Sequence, residues 1–333
     1  MPSEFRAPTE TPSYFLVSVS TRENLELCIK YGLAGFPSSE SGSWTYCEIR
    51  EGDFISFLYG ARAHNLYVVD KREAVVNASE MPPWKPLVFE DSGKVHSFPF
   101  RLNLRPVRTF AEIIVRHEFS YVAENLLLRG GYRKTHFQAD QTTLQLVSEM
   151  GSRAEELVIA LALPEYTTFS LRFTRSKELI KKPETFRFQE TILQSAIRRH
   201  LMSRENLQPL LSKLSFTRAD ASSLEVLGEK GTTRGHIDLL LKQRVPIGSA
   251  LEVPIEVKTK KGKLEDVLQL RGYMDELAGD CPVGLLVAAD FNKHAIAKAA
   301  EYRVKLVRYV ANTDLTATPT FEEIHQSLTL EPL

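Results

Sequence analysis

Cysteine is scarce in this chain of 333 residues: Cys28, Cys47 and Cys281 are three, an odd number, and they lie far apart. That excludes a disulfide framework and a zinc site of clustered thiols, and it fits a reducing cytoplasm. Neither sign of charge is in excess, with Lys+Arg and Asp+Glu at 42 each. Net charge therefore argues for no nucleic-acid partner, and any basic surface has to be local. No apolar run approaches the roughly 20 residues that cross a bilayer, so no membrane is expected as a partner. The first residues, with Glu4, Pro8, Glu10 and Pro12, carry no signal-peptide pattern. Internal repeats and low-complexity tracts are lacking too. Histidines such as His64, His96 and His117 fall at no metal-ligand spacing and read as structural or surface residues.

What is present is a globular composition, 43% hydrophobic and 25% charged, in a length that suits two domains and a small further piece. Residues 1–12 read as a flexible leader. The apolar run Tyr14–Ser20 reads as a strand. A helix follows it, with Ser20 and Glu23 at capping-box spacing and Gly32 as the C′ residue. A turn-rich loop, Pro37 to Ser43, precedes strands at Phe54–Tyr59, Leu66–Val69 and Phe98–Val107. Residues 110–128 and 153–163 have helical character. The charged stretch 176–187 contains Pro183 and marks the main boundary. Beyond it the pattern predicts a helix (188–201), strands (236–241 and 251–258), a helix (264–278), a strand (283–288), a helix (292–301) and a strand (304–310). This is an α/β order with crossover helices. The expected division is a domain over 13–150, a linker region over 151–187, a second domain over 188–312 and a tail over 313–333.

Two of the later strands carry chemistry. In Gly235-His236-Ile237-Asp238-Leu239-Leu240-Leu241, alternation sets Ile237, Leu239 and Leu241 on one face and Asp238 on the other. In Val253-Pro254-Ile255-Glu256-Val257-Lys258, Glu256 and Lys258 share one face and the apolar residues the other. Charge in such a strand is unfavourable unless it is paired or bound to metal. Taken alone, Glu-X-Lys is more simply a surface ion pair on an edge strand. With Asp238 in the preceding strand, phosphodiester hydrolysis explains the set. Asp238, Glu256 and the backbone carbonyl of Val257 suit Mg²⁺, with Mn²⁺ as a substitute. Lys258 could orient the attacking water, deprotonate it, or neutralise charge on the reacting phosphate. Pro254 starts what should be a central strand and is tolerable at a first strand position or a bulge.

Gly235-X-Ile237-Asp238, then Ile255-Glu256-Val257-Lys258, then Gln269-Leu270-X-X-Tyr273-Met274 resembles the PD-(D/E)XK nuclease superfamily. Val283–Ala288 and Ala295–Val307 extend the similarity, which covers about 120 residues and is nearest to the catalytic domain of NucS/EndoMS-type endonucleases. The resemblance implies a mixed-sheet nuclease fold. It implies that Glu190 is an acid contributed by the first helix and Gln269 a polar residue of the helix after the catalytic strand. It also implies 5′-phosphate and 3′-hydroxyl products.

Residues 14–108 resemble a PUA-superfamily domain of the EVE/YTH type. The resemblance rests on Tyr14-Phe15-Leu16-Val17-Ser18, Glu23-Asn24-Leu25-Glu26, Lys30-Tyr31-Gly32-Leu33, Gly52–Phe57, Met81-Pro82-Pro83-Trp84 and Phe100–Leu104. It implies a β-barrel with helices that holds an extruded modified base among aromatic side chains. Trp84 matches a cage position. The other cage tryptophan, expected just after Gly32-Leu33, is replaced by Ala34, and Phe36 or Trp44 could substitute from the adjoining loop. Trp84 and Trp44 read equally well as core aromatics. Together the two halves suggest a modification-dependent restriction endonuclease. It would act on double-stranded DNA as a homodimer, since one active site cuts one strand. A repair or mismatch endonuclease and a non-enzymatic nucleic-acid-binding protein are the alternatives.

Overall fold

The computed structural model describes residues 11–89, 93–110, 113–114, 119–128, 134–155, 158–216 and 220–333. Most of the expected leader, His117 and parts of the stretches expected to be helical at 110–128 and 153–163 lie outside these residues. The first half runs β1 (Tyr14–Ser18), α1 (Arg22–Tyr31), β2 (Leu33–Phe36), α2 (Glu40–Glu48), β3 (Phe54–Tyr59), β4 (Arg62–Ala74), β5 (Leu87–Phe89), β6 (Lys94–His96), β7 (Phe100–Thr109), β8 (Ile113–Ile114), α3 (Ser120–Leu128), β9 (His136–Ala139), α4 (Gln141–Glu149) and β10 (Ser152–Arg153). The second runs β11 (Arg172–Thr174), β12 (Thr185–Arg187), α5 (Glu190–Met202), α6 (Arg204–Lys213), β13 (Leu224–Thr232), β14 (Gly235–Gln243), β15 (Glu252–Gly262), α7 (Leu264–Leu277), β16 (Gly284–Phe291), α8 (Lys293–Ala299), β17 (Val304–Ala311), α9 (Phe321–Gln326) and β18 (Leu328–Pro332). No helix among the described residues is long and apolar enough to cross a membrane.

The protein is mixed α/β, and among the described residues none of its sheets closes into a barrel. In the first half the hydrogen-bonded order is β10-β7-β4-β3-β1-β9, with β2 on β7 and β8 on β4. The expected barrel is thus an open sheet among the described residues. Register shifts between Leu66 and Tyr67 and between Val69 and Lys71 interrupt the long β4–β7 ladder without joining the sheet's two ends. Helix α1 forms as its sequence dictates, except that Thr21, one residue after Ser20, is the cap and accepts from the Asn24 N–H. Gly32 ends it at φ 56°, the left-handed conformation a C′ glycine supplies.

Two local expectations give way to tertiary context, and one strand arises where none was expected. The Pro37–Ser43 loop is cut short by α2. Ser39 caps that helix, and burial of Thr45, Cys47 and Glu48 overrides the poor helix propensity of its glycine and serines. In 153–163 no described residue is helical. Arg153 belongs to β10, and the Ile159 N–H bonds the Lys30 carbonyl, fixing this segment against the end of α1 instead. Strand β13, unforeseen, pairs along β14 and places its apolar residues in the shared core.

The second sheet has the order β13-β14-β15-β16-β17-β18. Its centre, β15-β16-β17, is parallel, and its flanks are antiparallel. Ile255, Val257, Leu285, Val287 and Val307 face α5 and α6 in one apolar cluster, while Leu286, Ala288 and Leu306 face α7 and α8 in another. Ile237 departs from the face of Leu239 and packs in the α7 cluster with Val267 and Tyr273. Pro254 pairs with Leu240 on β14 and precedes the first β15–β16 pair, Ile255–Leu285, so it stands where the sheet has not yet gained its third strand.

The halves share a core. Phe173 and Phe186, on the parallel pair β11–β12 inside the expected linker, are buried with residues of both halves. Glu48 of α2 accepts from Arg198 of α5 at 2.5 Å and from Ser195, an ion pair closed off from water. Breaking such a pair on one side costs about 3–5 kcal/mol. The expected tail supplies α9 and the edge strand β18.

Candidate active site

The β14–β15 ladder ends at Leu239–Ile255. One residue further on, the Asp238 side chain takes over: its Oδ2 accepts the Val257 backbone N–H at 2.7 Å. This side-chain bond holds the strands apart at their open end and sets Asp238 beside Glu256. Lys258 Nζ donates to Glu256 Oε1 at 2.7 Å and to Glu190 Oε1 at 3.4 Å. Glu190 opens α5 and stays 38% exposed, whereas Glu256 is 1% exposed. The second oxygen of Glu256, Oε2, is buried without a hydrogen-bond partner. Asp238, Glu256, Lys258 and Glu190, spread over three elements, therefore stand together.

Burial and then the neighbouring Glu256 carboxylate push the Asp238 carboxyl well above the ordinary range. Burial raises Glu256 as well, against the pull of Lys258. Burial alone would lower the Lys258 ammonium, but Glu256, Asp238 and Glu190 outweigh it and raise its pKa. Two carboxylates that repel each other, with one oxygen orphaned, form a donor set that a hard divalent cation would relieve. Among the described residues no group of three or more His, Cys, Asp or Glu side chains is arranged to hold a metal ion. Mg²⁺ does not need one, because it commonly keeps several waters and takes one or two carboxylates. The Val257 N–H is already engaged by Asp238, so only its carbonyl is considered as a ligand.

Gln269 is exposed on α7 and donates to the Tyr273 hydroxyl at 2.7 Å, so it bonds this tyrosine and not the carboxylates. The Tyr273 hydroxyl lies 2.9 Å from where a Cβ on Gly235 would stand, and Gly235 has φ 145°. Only glycine fits there, which explains why it opens β14.

The second site is a cavity of about 670 Å³ in the first half, lined by Asn24, Phe36, Tyr59, Trp84, Lys134 and Phe137 among others. Its size suits a nucleoside. Trp84 is only 5% exposed. It forms wall rather than a free plate: its ring edge approaches within 2.5 Å of a Cβ position on Gly35, and Phe98 packs 5.6 Å away. Cys28 lines the same wall, where burial pushes its thiol up to about 12. Phe36 is buried in the same wall. Trp44 is not part of it. It stacks edge-on against His136 at 4.8 Å, and Lys134 Nζ sits 4.8 Å over its ring. Trp44 instead lines a small gap with Glu229 and Asp238. Sequence reasoning missed Lys134 and Glu229, because nothing in their local pattern distinguishes them from solvated charges.

No family model matches the sequence, and no curated protein matches it. Among solved structures the chain is similar to a repair endonuclease from Pyrococcus abyssi, at 20% identity over 31% of this chain and 45% of that one, with a TM-score of 0.23. It is also similar to the DNA modification-dependent restriction endonuclease AspBHI, at 15% identity over 82% of this chain and 62% of that one, TM-score 0.21. A third is the MspJI restriction endonuclease in complex with a 27-mer oligonucleotide, at 12% identity over 88% and 64%, TM-score 0.20. The chain spans less than half the length of the Pyrococcus abyssi protein. At such TM-scores these likenesses carry neither fold nor function, which rest on the geometry above.

Proposed function

We propose that this chain is a metal-dependent DNA endonuclease that holds a modified base in the cavity of its first half and hydrolyses backbone phosphodiesters at the Asp238–Glu256–Lys258 site. The observation that carries the reading is Glu256, which is buried with one oxygen on Lys258 and the other without a partner. Asp238, Glu256 and the Val257 carbonyl would hold Mg²⁺, or Mn²⁺ in its place. When bound, the ion lowers the pKa of water and offsets charge on the scissile phosphate. Lys258, kept protonated by its three carboxylate neighbours, orients the attacking water and balances charge on the reacting phosphate rather than removing a proton. Glu190 fixes the ammonium from the α5 side. Gln269 steadies the Tyr273 hydroxyl at the rim. On this reading the second half is a PD-(D/E)XK nuclease and the first a base reader built on an open sheet rather than a closed barrel, in a cytoplasmic restriction enzyme acting as a homodimer.

The test is digestion of duplexes carrying N6-methyladenine, 5-methylcytosine, 5-hydroxymethylcytosine, a mismatch or no modification, each with Mg²⁺ and with EDTA. Cleavage of a modified duplex, abolished by EDTA and leaving 5′-phosphates, is expected. Cutting that survives thorough chelation sinks the metal mechanism, and equal cutting of every duplex sinks the base reading.

A further inference from the structure

Lys134 lines two spaces at once, the large cavity of the first half and the small gap beside Asp238. Its side chain is mostly buried, its ammonium lies over Trp44, and it is ion-paired to Glu229 of β13. Glu229 falls between the β13–β14 pairs Gly228–Leu239 and Lys230–Ile237, so it is the residue across the ladder from Asp238. Its backbone has φ 40°, in the left-handed region that a residue with a side chain adopts only when its surroundings hold it there. The Gly228 N–H next to it is taken by Gln138 Oε1 at 2.7 Å, another contact from the first half.

We infer that Lys134 is a positioning residue: through Glu229 it ties the wall of the cavity to the strand position facing Asp238, so that what fills the cavity alters the placement of the catalytic carboxylate. A base entering the cavity meets the Lys134 stem on its wall, and any shift of the ammonium is passed to a backbone already held off its preferred conformation. Interfaces of this kind settle in discrete arrangements rather than deforming continuously. This inference rests on the proposed nuclease function.

The experiment compares wild type, Lys134→Met, Glu229→Gln and the double variant in three measurements. These are single-turnover cleavage of the preferred modified duplex with Mg²⁺, affinity for the same duplex with Ca²⁺ in place of Mg²⁺, and thermal stability. Each single variant is expected to lose at least tenfold in rate while affinity stays within threefold and melting temperature holds. The double variant should lose no more than the worse single, as residues acting through one contact do. Rate and affinity falling together in Lys134→Met, with Glu229→Gln like wild type, would make Lys134 a phosphate contact and overturn the inference. So would losses that follow melting temperature. A wild-type protein that cuts no duplex removes the nuclease function and this inference with it. A wild type that cuts while both single variants keep its rate removes this inference alone.

Discussion

The two candidate sites handle buried polarity in opposite ways. Beside the cavity of the first half a buried cation is satisfied: Arg101, beneath Trp84, gives its guanidinium to the carbonyls of Met81, Pro82 and Phe98. At the sheet of the second half, Glu256 is buried with an orphaned oxygen and Asp238 is pressed against it. A satisfied wall contributes stability and waits for a ligand that brings its own surface. An unsatisfied carboxylate pair is a local loss of stability, retained where it is used. On the proposed function the contrast fits recognition at the first site and chemistry at the second, and it can be broken at either end.

The largest effect is expected at Glu256. Glu256→Ala should reduce cleavage on the order of a thousandfold, equivalent to roughly 4 kcal/mol of transition-state stabilisation. Affinity for modified duplex should remain. Because the carboxylate is strained by burial, the isosteric Glu256→Gln should melt no lower than wild type. Cleavage within tenfold of wild type in Glu256→Ala would take Glu256 out of the site. A sharp fall in the melting temperature of Glu256→Gln would mean that the pair is structural, and the contrast between the regions would vanish.

A second test asks whether the regions are separable. The charged, proline-containing stretch around 176–187 invites a fragment ending at Ser176. Such a fragment keeps Phe173 but loses Phe186 and the whole of α5, which packs on α2 and carries the Arg198 partner of Glu48, so it exposes apolar surface of the shared core. It should be unfolded or insoluble by circular dichroism. A soluble, cooperatively melting fragment would show that the shared core is dispensable to the first half.

Trp84 comes next. As a buried wall residue, Trp84→Ala should lose about 3–5 kcal/mol of folding stability. That change alone cannot separate packing from reading. Trp84→Phe keeps most of the burial, so its melting temperature should stay near wild type. If the indole stacks on an extruded base, the Phe variant should weaken binding to modified duplex, within the roughly 1–3 kcal/mol that stacking supplies. Binding to plain duplex, which rests on phosphate contacts, should barely change. Equal loss on both duplexes in a well-folded Trp84→Phe protein would leave Trp84 as packing only.

The clustering of Asp238, Glu256 and Lys258 was legible because these charges break a rule: they stand in apolar strands, and only pairing or metal makes that tolerable. In the second half α5, β14, β15, α7, β16, α8 and β17 follow their periodicity closely, whereas α6 and β13 do not announce themselves. The first half was harder. Helix α2 is a run of small residues that becomes helical through the core it meets, and Trp84 reads in sequence as plausibly cage as core. Trp44 has the right composition for a base pocket but the wrong place, and only the packing of α2 against β9 reveals this. Least legible of all were contacts between distant segments. Glu48 with Arg198, or Lys134 with Glu229, leave no periodic trace in either partner.

The smallest effect concerns a carboxylate at the junction that resembles Glu256 without serving chemistry. Glu225 of β13 is 8% exposed. Its Oε2 accepts the Gln141 N–H at the start of α4, while Oε1 is buried without a partner. Burial first, and then the nearby Asp140 carboxylate, lift its pKa from 4.5 to about 8, against the smaller pull of Lys242, the Gln141 N–H and Arg244. The folded protein therefore retains a proton that the unfolded chain releases at lower pH. Its stabilising contribution is complete below the unfolded value and is lost as pH rises through the folded value, so stability should decline from about pH 5 to pH 8. Glu225→Gln removes that dependence. The variant should melt close to wild type at pH 5 and above it at pH 9, the gap opening as the pH rises through the folded value. Cleavage by the variant at pH 7 should match wild type. Parallel melting curves across this range would mean that Glu225 is ionised throughout. The orphaned oxygen at Glu256 would then lose its nearest internal control, because the same burial argument would have failed at a site without catalytic neighbours.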